Sequence, residues 1–468
     1  MNPSQSVPVS VDTLIVHTLV VTMNAERHVI RDGAVAIKGD RIVAVGKSDV
    51  VEASVTAREV IDGRRFVVTP GLVNSHIHIT GEPLTRGFVP DNIPFDEAVW
   101  KWVSPLHFFY TEEDERISAQ LAALEMMKSG TTCFLEGGTI NHIDAVVDGL
   151  NEIGIRGRVG ARVSDLSNKP GNPAESTDAA IKILVDEMDR YPCADGARVA
   201  AWPILIGHTI CSDDLWRAAK QLSLERNAGF SFHMSPVAFD PEWFLANRGR
   251  RPLEHLNDLG VLGENVIITH LVHVNDAEVS LLAQTRTSVS HCPTTALKVA
   301  YGVTQIGLFP EMADQGVNVA IGTDGNNASN YSDLMRATYL VAGLFKDARR
   351  SSKIFPAEQA YAMATLNGAK GLMLQDQIGS LEPGKKADLV LHDTDRPEWR
   401  PLLNVANQLV WSADGRGVHS VFVDGVRVID NYRCTTIDEE QFYRTAQEAA
   451  HGITERSGLP HISQWPTI

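Results

Sequence analysis

Short runs in which hydrophobic and polar positions alternate fill the first ~65 residues: "VDTLIVHTLVVTM", "GAVAIKGDRIVAVG" and "REVIDGRRFVV" predict strands separated by polar turns such as Lys38-Gly39-Asp40. The same pattern returns only near the far end, in "GSLEPGKKADLVLHD" and "HSVFVDGVRVID", around Pro383-Gly384 and Asp424-Gly425. A small composite β-sandwich formed by 1–66 and 376–432 is the economical expectation. Between these ends, apolar strand-like runs alternate with helical patterns, which predicts β-α units around a parallel sheet over 67–375. The strand candidates are "LVNSHIHI", "TTCFLEG", "GRVGARVSDL", "RVAAWPILIG", "GFSFHMS", "NVIITHLVHV", "TSVSHCP" and "NVAIGTDG". Eight strands point to a barrel, although a doubly wound sheet produces the same alternation. In "EEDERISAQLAALEMMKSG", Ile117, Leu121, Leu124 and Met127 repeat at helical spacing and Gly130 supplies a stop. The segment 433–468 reads as a helical tail.

Composition narrows the partners more than the fold. A net charge of -16 disfavours nucleic acid and anionic membrane surfaces, which require clustered Lys and Arg, so a small-molecule substrate is expected. No apolar run approaches the ~18–20 residues of a membrane span. "MNPSQSVPVSVD" has neither the basic flank nor the apolar core of a secretory signal, and the default expectation is the cytoplasm. Cys133, Cys193, Cys211, Cys292 and Cys434 are scattered, odd in number and read as reduced thiols.

The chemistry gathers at the C-terminal ends of the predicted strands, where barrel enzymes carry their catalytic groups. In "NSHIHI", His76 and His78 stand two residues apart, so in a strand both imidazoles project from one face. Later strands end in His233 ("SFHMS"), His270 ("ITHLVHV"), His291 ("SHCP") and Asp324 ("IGTDG"). Singly, each has a bland account: a hydrogen-bonded core histidine, or a tight Asp-Gly turn. Together they match a catalytic metal site, which uses three or four N/O ligands and keeps a position open for water. A divalent ion lowers the pKa of such water toward ~7, making hydroxide available at neutral pH. Asp324 then suits proton transfer and His270 suits steadying a developing oxyanion. His273 is expected to face away.

With "PGLVNSHIHI", "LTRGFVPDN", "SGTT", "FHMS", "THLVHV", "SHCPTTALK", "GTDGNN" and "GSLEPGKKADLVL" assembled, the chain resembles the amidohydrolase superfamily from about Val11 to Asp430. Within it the likeness is to triazine hydrolases and to adenosylhomocysteine, guanine and cytosine deaminases. The resemblance implies an α/β fold, a distorted (β/α)8 TIM barrel with the composite β-sandwich beside it. It implies that His76, His78, His233 and Asp324 bind metal, and that His270 and Asp324 carry catalysis. Two-metal relatives use a lysine on the fourth strand; "RVAAWPILIGHT" has none, which implies one divalent ion, zinc first, with iron or cobalt able to use the same ligands. Relatives also imply a homo-oligomer.

Two departures shape the substrate expectation. Many of these deaminases place a ring-protonating glutamate three positions after the fifth-strand histidine; here that position is Pro236, which can neither donate nor accept the proton. Glu242 could replace it only if its loop folds inward. The loop after the fourth strand reads "ILIGHTICS", leaving His208 in an uncertain register. Arg86, Trp102, His208 and His291 are candidate substrate contacts, and the aromatic stretch "FVPDNIPFDEAVWKWVSPLHFFY" is a candidate apolar lid. These departures favour hydrolysis of an amide, urea or carbamate-like carbon–nitrogen bond in an apolar, aryl-bearing molecule. The loop "RGFVPDNIPF" resembles the phenylurea and thiocarbamate hydrolases, although those are thought to replace the first histidine of the pair with asparagine. The alternative is a heteroaromatic ring deaminase or dechlorinase acting on a purine, pteridine or triazine.

Overall fold

The computed structural model describes residues 8–167, 174–194, 196–463 and 465. The leader expectation and the two outermost segments therefore fall partly on residues outside that set. Eight parallel strands follow one another through the central region: β1 (Leu72–Ile77), β2 (Thr131–Glu136), β3 (Arg156–Val159), β4 in two pieces (Val199–Ala201 and Ile204–Gly207), β5 (Phe230–Met234), β6 (Val266–His270), β7 (Ser288–His291) and β8 (Val319–Ile321). Every residue of these strands is buried, which explains their continuous apolar runs: helices cover one face and the barrel interior fills the other.

The ladder is interrupted at two seams, so the barrel is distorted. Between the two pieces of β4 stand Trp202 and Pro203, and Pro203 has no N–H to offer. Backbone bonds from Trp202 N–H to the Val159 carbonyl (2.9 Å) and from Ser231 N–H to the Pro203 carbonyl (3.3 Å) carry the sheet across. The second seam lies between β8 and β1. There the N–H groups of Thr323 and Asp324 both donate to the His76 carbonyl at 3.0 Å.

Both chain ends meet in one nine-stranded sheet. Phe66–Pro70 joins them: it runs parallel to Val9–Val21 and antiparallel to Leu389–Asp393, with Val68 opposite Leu391. This strand passes through Gly71 into β1, so the sheet extends past the expected limit at 66. The helix Glu439–Ser457 closes the chain against the helix Glu112–Lys128, where Lys128 Nζ meets Glu439 at 2.6 Å. All five cysteines are free, and among the described residues no helix is long and apolar enough to cross a membrane.

Sheet and barrel are fastened by one buried guanidinium. Arg156 on β3 donates to both carboxylate oxygens of Asp388 (2.9 and 3.0 Å) and also to Asp424, with Arg156 and Asp388 side chains each 1% exposed. Removing one partner of a buried ion pair leaves an uncompensated charge, at a cost of about 3–5 kcal/mol. Arg156→Ala is therefore expected to lower stability by that amount in denaturant titration; a change below about 1 kcal/mol would contradict this assignment.

Candidate metal centre

β1 delivers His76 and, one step beyond its end, His78; β5 delivers His233; Asp324 follows β8 by three residues. Their donor atoms converge. His78 Nε2 stands 3.3 Å from both Asp324 Oδ1 and His233 Nε2, and His76 Nε2 lies 3.4 Å from the same Asp324 oxygen. Ligands held ~2.0–2.1 Å from a tetrahedral zinc ion lie about 3.3–3.4 Å apart, the spacing found here.

The groups behind these nitrogens fix their direction. His233 Nδ1–H donates to the Ile206 carbonyl at 3.0 Å, which leaves Nε2 with a lone pair turned inward. His76 Nδ1 meets Thr269 Oγ1 at 3.1 Å, and among the described residues its buried Nε2 has no hydrogen-bond partner. Gly137 makes room for the cluster: a Cβ there would lie 2.3 Å from the His78 ring. A buried, partnerless imidazole nitrogen beside two more imidazoles and a carboxylate is a donor set that fits a divalent cation.

The electrostatics agree. Burial pulls His76 down, and holds His233 well below the ordinary imidazole range with its neighbouring imidazoles adding to the effect. His78 is pushed up to about 9, because Asp324, Glu82 and Glu136 together outweigh the burial that opposes them. Asp324 is held well below the usual carboxylate range: burial opposes ionisation, but the close imidazoles of His76 and His78, together with the charge interaction of His270, prevail. Around an ionised Asp324, with Glu82 and Glu136 close by, the pocket favours positive charge, and without an ion that charge falls on His78.

His270 closes the site from β6, with Nε2 4.0 Å from Asp324 Oδ2 and its ring edge-on to Tyr301. Burial lowers it to about 3, so it is a neutral imidazole. Asp324 thus offers one oxygen to the histidine pair and the other to His270. His208, Ser235, His270, Leu271 and Asp324 all hold positive φ (51°, 53°, 78°, 52° and 64°). Such backbone strain in non-glycine residues gathers where the surrounding structure positions functional groups.

A cavity of about 110 Å³ lies over the cluster. Benzene fills an engineered cavity of ~150 Å³, so this space takes about one small ring. The expected contacts sort unevenly. His208 lines the cavity, but Trp102 does not: it is buried against Phe88, and Trp100 from the same turn faces the space instead. The reason is local. Residues 98–103 form a π-helical turn inside the aromatic stretch, which rotates successive side chains relative to an α-helix. Arg86 lies outside the cavity, ion-paired with Glu125, and His291 points into the helical layer, stacked on Phe309 at 3.9 Å. His273 turns away to the Tyr301 carbonyl. Glu242 is exposed.

The lining groups not singled out from sequence include Glu82, whose carboxylate accepts the Asn327 N–H at 2.8 Å, His107, Arg162 and Tyr301. Asp240, likewise not singled out, does not line the cavity but stands behind His208 at 2.7 Å. A glutamate just past a His-x-His strand was the one available signal.

Residues 67–428 match the amidohydrolase family. The chain belongs to that family. It is accordingly a metal-dependent hydrolase of carbon–nitrogen bonds other than peptide bonds. A 5-methylthioadenosine/S-adenosylhomocysteine deaminase of Moorella thermoacetica is 33% identical over 428 residues, 90% of this chain and 96% of its own. A 5'-deoxyadenosine deaminase of Methanosarcina acetivorans is 30% identical, covering 95% and 99%. Among solved structures, an adenosine deaminase of Xanthomonas campestris with bound zinc superposes with a TM-score of 0.89 at 28% identity, over 96% of this chain and all of that one. Atrazine chlorohydrolase of Arthrobacter aurescens shares the fold, with a TM-score of 0.86 at 22% identity over 94% and 100%.

Proposed function

We propose that this amidohydrolase is a mononuclear zinc enzyme that removes an amino group from a heteroaromatic ring by hydrolysis. The observation that carries the reading is the intact set of His76, His78, His233, His270 and Asp324, in a chain whose whole-length relatives bear nucleoside-deaminase names. Those relatives favour the ring-amine reading over the amide, urea and carbamate one. A single-ring cavity agrees with a compact planar group at the reacting position.

Zinc bound here supplies Lewis acidity and a water acidified toward ~7. The chain's own residues do the rest. Asp324 accepts the proton of the attacking water and passes it to the departing nitrogen, which leaves as ammonia while the ring carbon gains oxygen. Neutral His270, beside Asp324 Oδ2, steadies the charge that develops on the substrate. The aromatic turn bearing Trp100 excludes bulk water and stacks against the ring.

Pro236 is the observation that favours the second reading, cleavage of an amide-like bond, because it removes the usual ring-protonating carboxylate. A panel of aminopurine nucleosides, aminopteridines and aminotriazines, set beside aryl amides and phenylureas, separates the two. Ammonia release from a ring amine, with no cleavage of the amides or ureas, is the expected result; the reverse pattern overturns the proposal.

A further inference from the structure

Hydrolysis of a ring amine moves both protons of the water onto nitrogen, one onto the departing amino group and the other onto the ring nitrogen beside the reacting carbon. Asp324 carries the first. A second carrier must face the same cavity, and Pro236 cannot be one. Among the described residues, the acids that line the cavity are Asp324 and Glu82.

Glu82 is 4% exposed and stands outside the grouped metal donors. Its Oε2 accepts the Asn327 N–H at 2.8 Å, while Oε1 accepts no hydrogen bond from a described residue. Asn327 is itself braced: its Nδ2 donates to Thr85 Oγ1 at 2.9 Å, and its carbonyl accepts from Lys298 Nζ at 2.8 Å. Close packing then sets the carboxylate beside the reacting groups. A Cβ on Gly325, the residue after Asp324, would lie 2.1 Å from both Glu82 oxygens, so a glycine there is what lets the two acids stand side by side. One oxygen is tethered and the other is left for the cavity. A buried carboxylate oxygen without a donor forfeits its solvation, and a substrate N–H or O–H restores it.

We propose that Glu82 is a catalytic residue of this site: it takes a proton from the oxygen bound to the reacting carbon and delivers it to the adjacent ring nitrogen. The inference rests on the ring-amine reading, because it requires a ring nitrogen next to that carbon. The balance closes. A carbon–oxygen bond forms, the carbon–nitrogen bond breaks, ammonia departs with the proton carried by Asp324, and the product ring keeps an N–H. Glu82 ends in the form in which it began.

The test uses Glu82→Gln in the zinc-loaded enzyme, since glutamine keeps an oxygen for the Asn327 N–H but cannot relay a proton. The substrates are a series of ring amines of graded ring-nitrogen basicity, built on whichever ring the substrate panel identifies. We expect kcat/KM to fall ~10²-fold or more for the least basic member and less than about tenfold for the most basic, which gains its proton from water without help. Zinc content and melting temperature should match the wild type. A glutamate with a structural role alone would slow every member alike. A uniform loss across the series, a loss below about threefold throughout, or loss of zinc from the variant overturns the inference. A wild type that cleaves only amides or ureas removes the ring-amine reading and this inference with it, whereas ring deamination that survives Glu82→Gln overturns this inference alone.

Discussion

Asp324→Asn is expected to reduce turnover by about 10²–10⁴-fold while leaving the fold intact. The substitution removes the proton acceptor and weakens one corner of the metal centre in a single step. It preserves shape: Asp324 Oδ1 accepts the Gly325 N–H at 2.8 Å, and an asparagine oxygen can do the same. Circular dichroism and the melting temperature should therefore stay close to wild type while activity is lost. Wholesale unfolding would mean that the carboxylate is structural. Activity within tenfold of wild type would mean that another group takes the proton, and Glu82, the other buried carboxylate lining the cavity, would become the candidate.

Loss of the metal should have an equally large effect. Elemental analysis of the purified protein is expected to give about one divalent ion per chain, in keeping with four converging ligands and no lysine on β4. Chelation should abolish activity, and re-addition should restore it together with a rise in melting temperature, because a ligand that binds only the native state stabilises it. His76→Ala and His233→Ala should each lose the ion. Metal content unchanged in both variants, or activity that survives complete removal, would refute the ligand assignment.

The candidate metal site was legible because each of its parts obeys a local rule. Two histidines at i and i+2 share a strand face, and His233, His270 and Asp324 each sit where an apolar strand run ends. The substrate side obeys no such rule. Trp100 and Trp102 are both apolar residues two positions apart, and only the π-helical turn decides which one faces the cavity. Arg86 reads as an available cation, yet Glu125 holds it, and the same Glu125 accepts the Ser332 N–H at 2.8 Å. Glu242 and Asp240 stand in one short stretch, "FDPEWF", and the helix geometry exposes the first and buries the second.

By itself the sequence determined the class of strands and helices, the pairing of the two chain ends into one sheet-forming pattern, and the residue types of the metal cluster. Periodicity along a chain encodes which way a side chain points within its own element, and those features need nothing more. Only the tertiary structure decided the seams of the barrel, the single-ring cavity and the link from Asp240 to His208, 32 residues away. These depend on where loops return. A loop's path is set by packing against distant elements, and that leaves no periodic trace in the residues that form it.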